Sequence, residues 1–308
     1  MLYVQNCITA VYGCELNVLF VQMDVALFVS GRLLGYDTCL LPFLNRFSKD
    51  YNIKVFFSIN TLSLGEGEDM NTIISNLKRL LGIRFGDIYY EEYKLPYDYV
   101  QTKLQNRIDV FLYNQMSCFY NDKQNLRIIE DYQRKYNITF DVISKIRSDI
   151  YPTKYCIYFK QDEPDTLMIH TAYTFIRHWG HVFEHFPYAM VSDAFAYGNM
   201  KSMRIYCKTY DWILEQNKLR NGRYVYTFEI LLTDSILNHC IGDYDDGHNN
   251  PTISENQLFD IFFNNSNNIK ISYSIDIEYH LMPTDMRSKN NFIVDKTNVL
   301  TYTHSCPE

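Results

Sequence analysis

Two short runs, DVALFVS at 24–30 and IKVFFSI at 53–59, are apolar almost throughout, and they bracket a helix-like segment at 40–47 with Pro42 near its start. An alternating strand leaves one face wet, whereas a continuous apolar run is buried on both faces. Strand, helix, strand in that order favours parallel pairing through a crossover helix. The chain is therefore expected to be an α/β/α sandwich built on a mainly parallel sheet.

Later segments extend the pattern. Ile73, Ile74, Leu77, Leu80 and Leu81 share a helical face over 70–81, and Gly82 supplies a stop. The Tyr-rich stretch 89–99 reads as a loop, and 114–136 as one or two helices with Leu126, Ile129 and Tyr132 on one side. DVISKI at 141–146 is the next strand; it runs into Arg147-Ser148-Asp149, and Pro152 bars a regular continuation. Short strands are expected at 155–159 and 189–192. A helix capped by Asn199 follows, with Met203, Tyr206, Cys207, Tyr210, Ile213 and Leu214 on one stripe, and then another at 226–240. Residues 269–279 alternate Ile and Tyr with polar side chains, as a long half-buried, antiparallel strand would. The linker-like stretch GDYDDGHNNPTIS at 242–254 sets the organisation: a main domain over 1–241 and a C-terminal β-containing appendage over 242–308, packed on the same domain.

Composition narrows the partners. A net charge of -7 opposes binding to a polyanion, so nucleic acid is not expected. The eight cysteines are scattered with no C-x-x-C, which suits free thiols in a reducing compartment such as the cytoplasm. Glu15, Gln22 and Asp24 interrupt the apolar stretch 8–28 and no basic residue precedes it, so neither a secretory signal nor a membrane span is read there.

Two segments can carry chemistry. In Arg147-Ser148-Asp149, at a strand end, an Arg fork suits phosphate and a carboxylate two residues on can hold a divalent cation against a pyrophosphate. An exposed Arg–Asp pair capping a loop is the plain alternative. In SDAFAYGN at 192–199, Asp193 can act as general base toward a hydroxyl or merely hold the loop, and Gly198 suits positive φ or a close backbone approach.

Together with MSCFY at 116–120, the helix at 125–136, FDVISKIRSDI at 140–150, VSDAFAYGNMKSMRIYC at 191–207 and FEILLTDSIL at 228–237, these segments resemble a family of glycosyltransferases. The family occurs in large DNA viruses and bacterial surface-polysaccharide loci. Its members read approximately "YDxVIRxRPDI … SDxFAxG … PExLLxxxL", after a first strand that ends in Gly-x-Arg or Gly-Arg, as Ser30-Gly31-Arg32 does here. The resemblance spans about 24–237 with motif order kept, and it departs where Ser148 and Phe228 replace prolines. It implies a GT-A-like fold, a nucleotide-sugar donor, a glycan or other hydroxyl acceptor, and Mg²⁺ or Mn²⁺. It also implies a cytoplasmic setting, or a virion if the source is viral. Residue by residue, Ser30, Gly31 and Arg32 would line the nucleotide site, and Arg147 and Asp149 would meet the diphosphate, with Asp149 as metal ligand. Asp193 and Glu229 would face sugar or acceptor. Asp234, with Glu229, would open a helix closing the sugar site, by looser fold-level analogy.

Other signals compete. A binding module of the same fold without turnover is one rival. His178, His181 and His185 in HWGHVFEH suggest a zinc hydrolase, although Gly180, Pro187 and the missing H-E-x-x-H order argue against it. Asp243, Asp245 and Asp246 before Gly247 misfit a calcium loop, and Gly65-Glu66-Gly67 lacks the lysine of a P-loop.

Overall fold

The computed structural model describes residues 22–30, 33, 36–47, 51–64, 69–96, 108–148, 150–152, 159, 166–171, 191–215, 228–241, 270–273, 279–281 and 300–302. In chain order the strands are β1 (Met23–Ser30), β2 (Tyr51–Asn60), β3 (Phe85–Glu91), β4 (Val142–Ile146), β5 (Ile150–Pro152), β6 (Thr166–Thr171), β7 (Val191–Gly198), β8 (Lys270–Tyr273), β9 (Tyr279–Leu281) and β10 (Leu300–Tyr302). The α-helices are α1 (Leu41–Phe47), α2 (Met70–Leu81), α3 (Ile108–Tyr136), α4 (Met200–Cys207), α5 (Thr209–Glu215) and α6 (Phe228–Ile241).

The main sheet has seven strands in the order β3-β2-β1-β4-β7-β6-β8. β3, β2, β1 and β4 are mutually parallel, β7 is antiparallel to both β4 and β6, and β8 is parallel to β6. All the strands but β7 thus point one way, and the mainly parallel α/β/α class is met.

Alternation along the strands sorts side chains into two cores. Val25, Leu27 and Val29 of β1, with Val55, Phe57 and Ile59 of β2, pack toward Leu40, Phe43 and Leu44 and toward Ile73, Leu77 and Leu81 of α2. Ala26, Phe28 and Phe56 face the other way, against Met116, Phe119, Leu126 and Ile129 of α3 and residues of α4, α5 and α6. Burying each large apolar side chain contributes roughly 1.5–3 kcal/mol, so the continuous apolar runs make this sheet the stable centre.

Several local expectations change. The Tyr-rich stretch contributes β3, an edge strand whose Gly86 lies where a Cβ would meet the Phe56 ring at 2.8 Å. Residues 114–136 belong to one 29-residue helix. The stripe expected as a single helix from Asn199 breaks at Lys208, whose N–H reaches both Arg204 and Ile205 carbonyls while Thr209 donates its hydroxyl to the Tyr206 carbonyl. β4 stops at Ile146, and a separate strand that the sequence did not suggest, β5, closes at Pro152. The alternating 269–279 run yields a short β8, parallel rather than antiparallel, and β9, which pairs with β5 and β10 in a small sheet. Period two reports a half-buried strand and carries no information about its neighbour's direction. Of 155–159, Phe159 alone falls among the described residues, and β6 has no counterpart among the expected strands.

Candidate active site at the β1/β4 switch point

From β1 the chain steps outward through β2 to β3, then returns to lay β4 on the other side of β1. The order reverses between β1 and β4, and the crevice beyond the carboxyl ends at such a reversal is where open α/β sheets take ligands. Val29 pairs with Ile146, so Ser30 and Arg147 are the next residues on adjacent strands at that edge.

β7 arrives from the opposite direction. Ile146 pairs with Phe195, which brings Asp193, two residues earlier on β7, to the same edge. There Arg147 Nη1 donates to Asp193 Oδ2 at 3.2 Å, with Oδ1 at 3.5 Å. The pair is partly enclosed, with side-chain exposures of 29% and 13%. Asp193 therefore lies within a strand, where the sequence suggested a loop, because the strand beginning at Val191 runs on through the whole SDAFAYG block to Gly198.

Gly198 takes a different place. It pairs with Ile143 on one side and Leu167 on the other, level with Ala26. That is four residues down β1 from Ser30, about 13 Å at the usual strand rise. Among the described residues Gly82 is the glycine with positive φ, so Gly198 is ordinary strand backbone and does not join the edge. Glu229 lies in the first turn of α6 and Asp234 further along it, a helix whose Leu231, Leu232 and Ile236 are buried in the core. The side chains of Glu229 and Asp234 fall outside the described residues, as do Gly31, Arg32, Asp149, the histidines at 178, 181 and 185, the acidic turn at 243–246 and the glycines at 65 and 67.

A set of polar residues that the sequence reading passed over stands under this edge. Lys145, on the β4 face turned to α3, donates to Asp122 Oδ2 at 2.7 Å, and both side chains are 2% exposed. Its Nζ lies 5.3 Å from the centre of the Tyr206 ring. Burial pulls the Lys145 ammonium down, but the Asp122 carboxylate, with Tyr206 and Cys118 behind it, outweighs that and holds it well above its ordinary value. Burial pushes the Asp122 carboxyl up, against the opposing pull of Lys145 and a hydrogen bond from Ser30. The Cys118 thiol is pushed up to about 12, chiefly by burial.

α3 continues the row. Asn60 Nδ2 donates to Ser117 Oγ at 2.9 Å, Ser58 Oγ to Asn121 Oδ1 at 2.9 Å, and Asn125 Nδ2 to Ser30 Oγ at 2.9 Å and the Val29 carbonyl at 3.0 Å. Along β2 the higher-numbered Asn121 meets the lower position, but Asn125, further on, reaches the end of β1, so α3 crosses the strands obliquely with its middle turns under the site edge. The available signal was Lys145 itself, a charge inside the DVISKI strand, which demands a carboxylate partner once enclosed.

The described residues do not by themselves assemble a cation site. Among them no three His, Cys, Asp or Glu side chains come together, and Asp193, the carboxylate at the edge, faces a guanidinium. No helix among the described residues is long and apolar enough to cross a membrane.

No protein-family model and no curated protein matches the sequence. Solved structures do align. An active-site mutant of LgtC shows 14% identity over 82% of this chain and 74% of that one, with a TM-score of 0.41. Galactosyltransferase LgtC with donor and acceptor sugar analogues shows 13% identity over 70% and 69%, TM-score 0.38. The mannosyltransferase Ktr4p from S. cerevisiae shows 11% identity over 86% and 71%, TM-score 0.44.

Proposed function

We propose that the protein is a glycosyltransferase that moves a sugar from a nucleoside-diphosphate donor to a hydroxyl acceptor. The observation that carries this reading is the meeting of Ser30, Arg147 and Asp193 at the one edge where the strand order reverses. The order of motifs along the chain supports it independently.

Departure of a nucleoside diphosphate builds negative charge on the leaving phosphate oxygen. The Arg147 guanidinium is suited to receive it, because its planar fork matches phosphate geometry. Asp193 would take the proton from the acceptor hydroxyl as its oxygen bonds to the anomeric carbon and the bond to the diphosphate breaks. With no donor bound, these two groups neutralise each other. An incoming diphosphate competes for Arg147 and so releases the Asp193 carboxylate when the donor is in place. Ser30 with Gly31 and Arg32 would line the nucleotide side, and Glu229, with Asp234 along α6, would face the sugar or acceptor. A divalent cation on Asp149 is a separate part of the proposal, and the proton transfer described does not run through it.

The test is sugar transfer from a panel of nucleotide sugars, with donor binding followed by calorimetry. Asp193→Asn is expected to lower turnover by about 10²–10⁴ without weakening donor binding, and to tighten it as the competing carboxylate is removed, and Arg147→Ala to weaken donor binding. Full turnover in Asp193→Asn removes the base, and unchanged turnover in Asp149→Ala removes the cation ligand. Donor binding by the unaltered protein with no product from any acceptor would make it a binding module.

A further inference from the structure

One turn of α3 holds the two strands between which the sheet order reverses. Asp122 is paired with Lys145 of β4, two residues before Arg147. Asn125, three residues on and so on the same side of the helix, reaches β1 instead. Its Nδ2 donates to the Val29 carbonyl at 3.0 Å and to Ser30 Oγ at 2.9 Å, which uses both amide protons. The amide thus grips the peptide joining Val29 to Ser30 and the Ser30 side chain together, at the last residue of β1. The ladder to β4 stops at the Val29–Ile146 pair, so Asn125 takes hold of β1 where that pairing ends.

Stability alone is a poor account of this amide. Asn125 is 0% exposed, and its Oδ1 has no hydrogen-bond partner among the described residues. A buried acceptor left unpaired costs about as much as two neutral hydrogen bonds contribute, so the net gain in folding is small. What the amide does, and an aliphatic side chain of the same branched shape cannot do, is fix the position and direction of a main-chain carbonyl.

We propose that Asn125 is a positioning residue for the donor. By holding the Val29–Ser30 peptide it sets where the chain leaves β1, and so where Ser30, Gly31 and Arg32 stand relative to Arg147. The inference rests on the donor site proposed above and deepens it: affinity for the nucleoside diphosphate depends on a side chain that acts through the main chain of the strand tip. The proton transfer does not depend on it, because Asp193 stands on β7, apart from the tip that Asn125 holds.

Asn125→Leu keeps the branched shape and removes both bonds. Binding of UDP, GDP, UDP-glucose and GDP-mannose by calorimetry, with donor KM and kcat, is to be compared in the intact chain, in Asn125→Leu and in Leu77→Ala. The last variant opens a cavity in the α2 core and serves as the destabilised control. Asn125→Leu is expected to weaken nucleotide binding about tenfold and to raise donor KM, with kcat within about threefold of the intact chain. Leu77→Ala should keep its affinity per folded molecule. If Asn125→Leu does not fold, Asn125→Ser, whose hydroxyl is too short to reach both partners, carries the comparison. Unchanged affinity in the Asn125 variant, an equal loss in Leu77→Ala, or a fall in kcat at constant KM overturns the positioning role and leaves the donor site standing. An intact chain that binds none of the four ligands overturns the donor site, and the role of Asn125 with it.

Discussion

The two faces of the central sheet are cut from the same strands and treat their last residues in opposite ways. Toward α2, β1 and β2 stay apolar to the end with Val29 and Ile59, and Ile146 of β4 does the same. Toward α3 they begin apolar, with Ala26, Phe28 and Phe56, and turn polar over the final residues: Ser30, Ser58, Asn60 and Lys145. The helix answers in register with Asn125, Asn121, Ser117 and Asp122. One face serves only to hold the sheet. The other holds it at the bottom and carries directed, enclosed polar groups up to the edge where Arg147 and Asp193 meet. Apolar packing tolerates small displacements, whereas a buried hydrogen bond or ion pair constrains its atoms to a few tenths of an ångström, which a binding edge requires.

The contrast can be broken most forcefully at the ion pair. Asp122→Leu leaves the Lys145 charge buried without its partner and should lower unfolding free energy by about 3–5 kcal/mol, read by urea titration. Adding Lys145→Met to that variant should restore most of the loss, because a well-packed apolar pair is close to neutral against a buried ion pair. If the double variant is as unstable as the single, the pair is not the coupled unit described. On the apolar face, Val29→Ala should cost about 2 kcal/mol and leave donor affinity per folded molecule unchanged; an altered affinity there would erase the division of labour between faces. Ser58→Ala breaks one neutral hydrogen bond to Asn121 and should cost about 1 kcal/mol. A cost near zero would mean that Asn121 Oδ1, which loses its donor, gains another or contributes no net stability.

Much of the scaffold was legible because burial on both faces leaves a continuous apolar signature. β1, β2, α2 and the β-α-β order were read within a few residues, and the Asp69 side chain capping Thr72 with Gly82 at φ +55° shows why α2 starts and stops there. β3 was missed because an edge strand with one hydrogen-bonded neighbour is only half-buried, so its sequence resembles a Tyr-rich loop. β7 was cut short because Asp193 looked like a loop residue. In the fold it lies near the start of a strand whose antiparallel course delivers its first residues, rather than its last, to the carboxyl edge. The same reversal carries Gly198 away from the site, although it is five residues from Asp193 in the chain.

Local sequence settled what each segment would be: which runs bury both faces, where helices stop, and that Arg147 and Asp193 sit at or near strand ends. Which of these meet was decided by the tertiary structure alone. Whether the ends of β1, β4 and β7 share one edge depends on strand order and direction, and these follow from crossover handedness and the packing of α3. The partners Lys145 and Asp122 lie 23 residues apart, and no periodicity within a single element encodes a pairing between elements, because a side chain's partner is fixed by register across the gap.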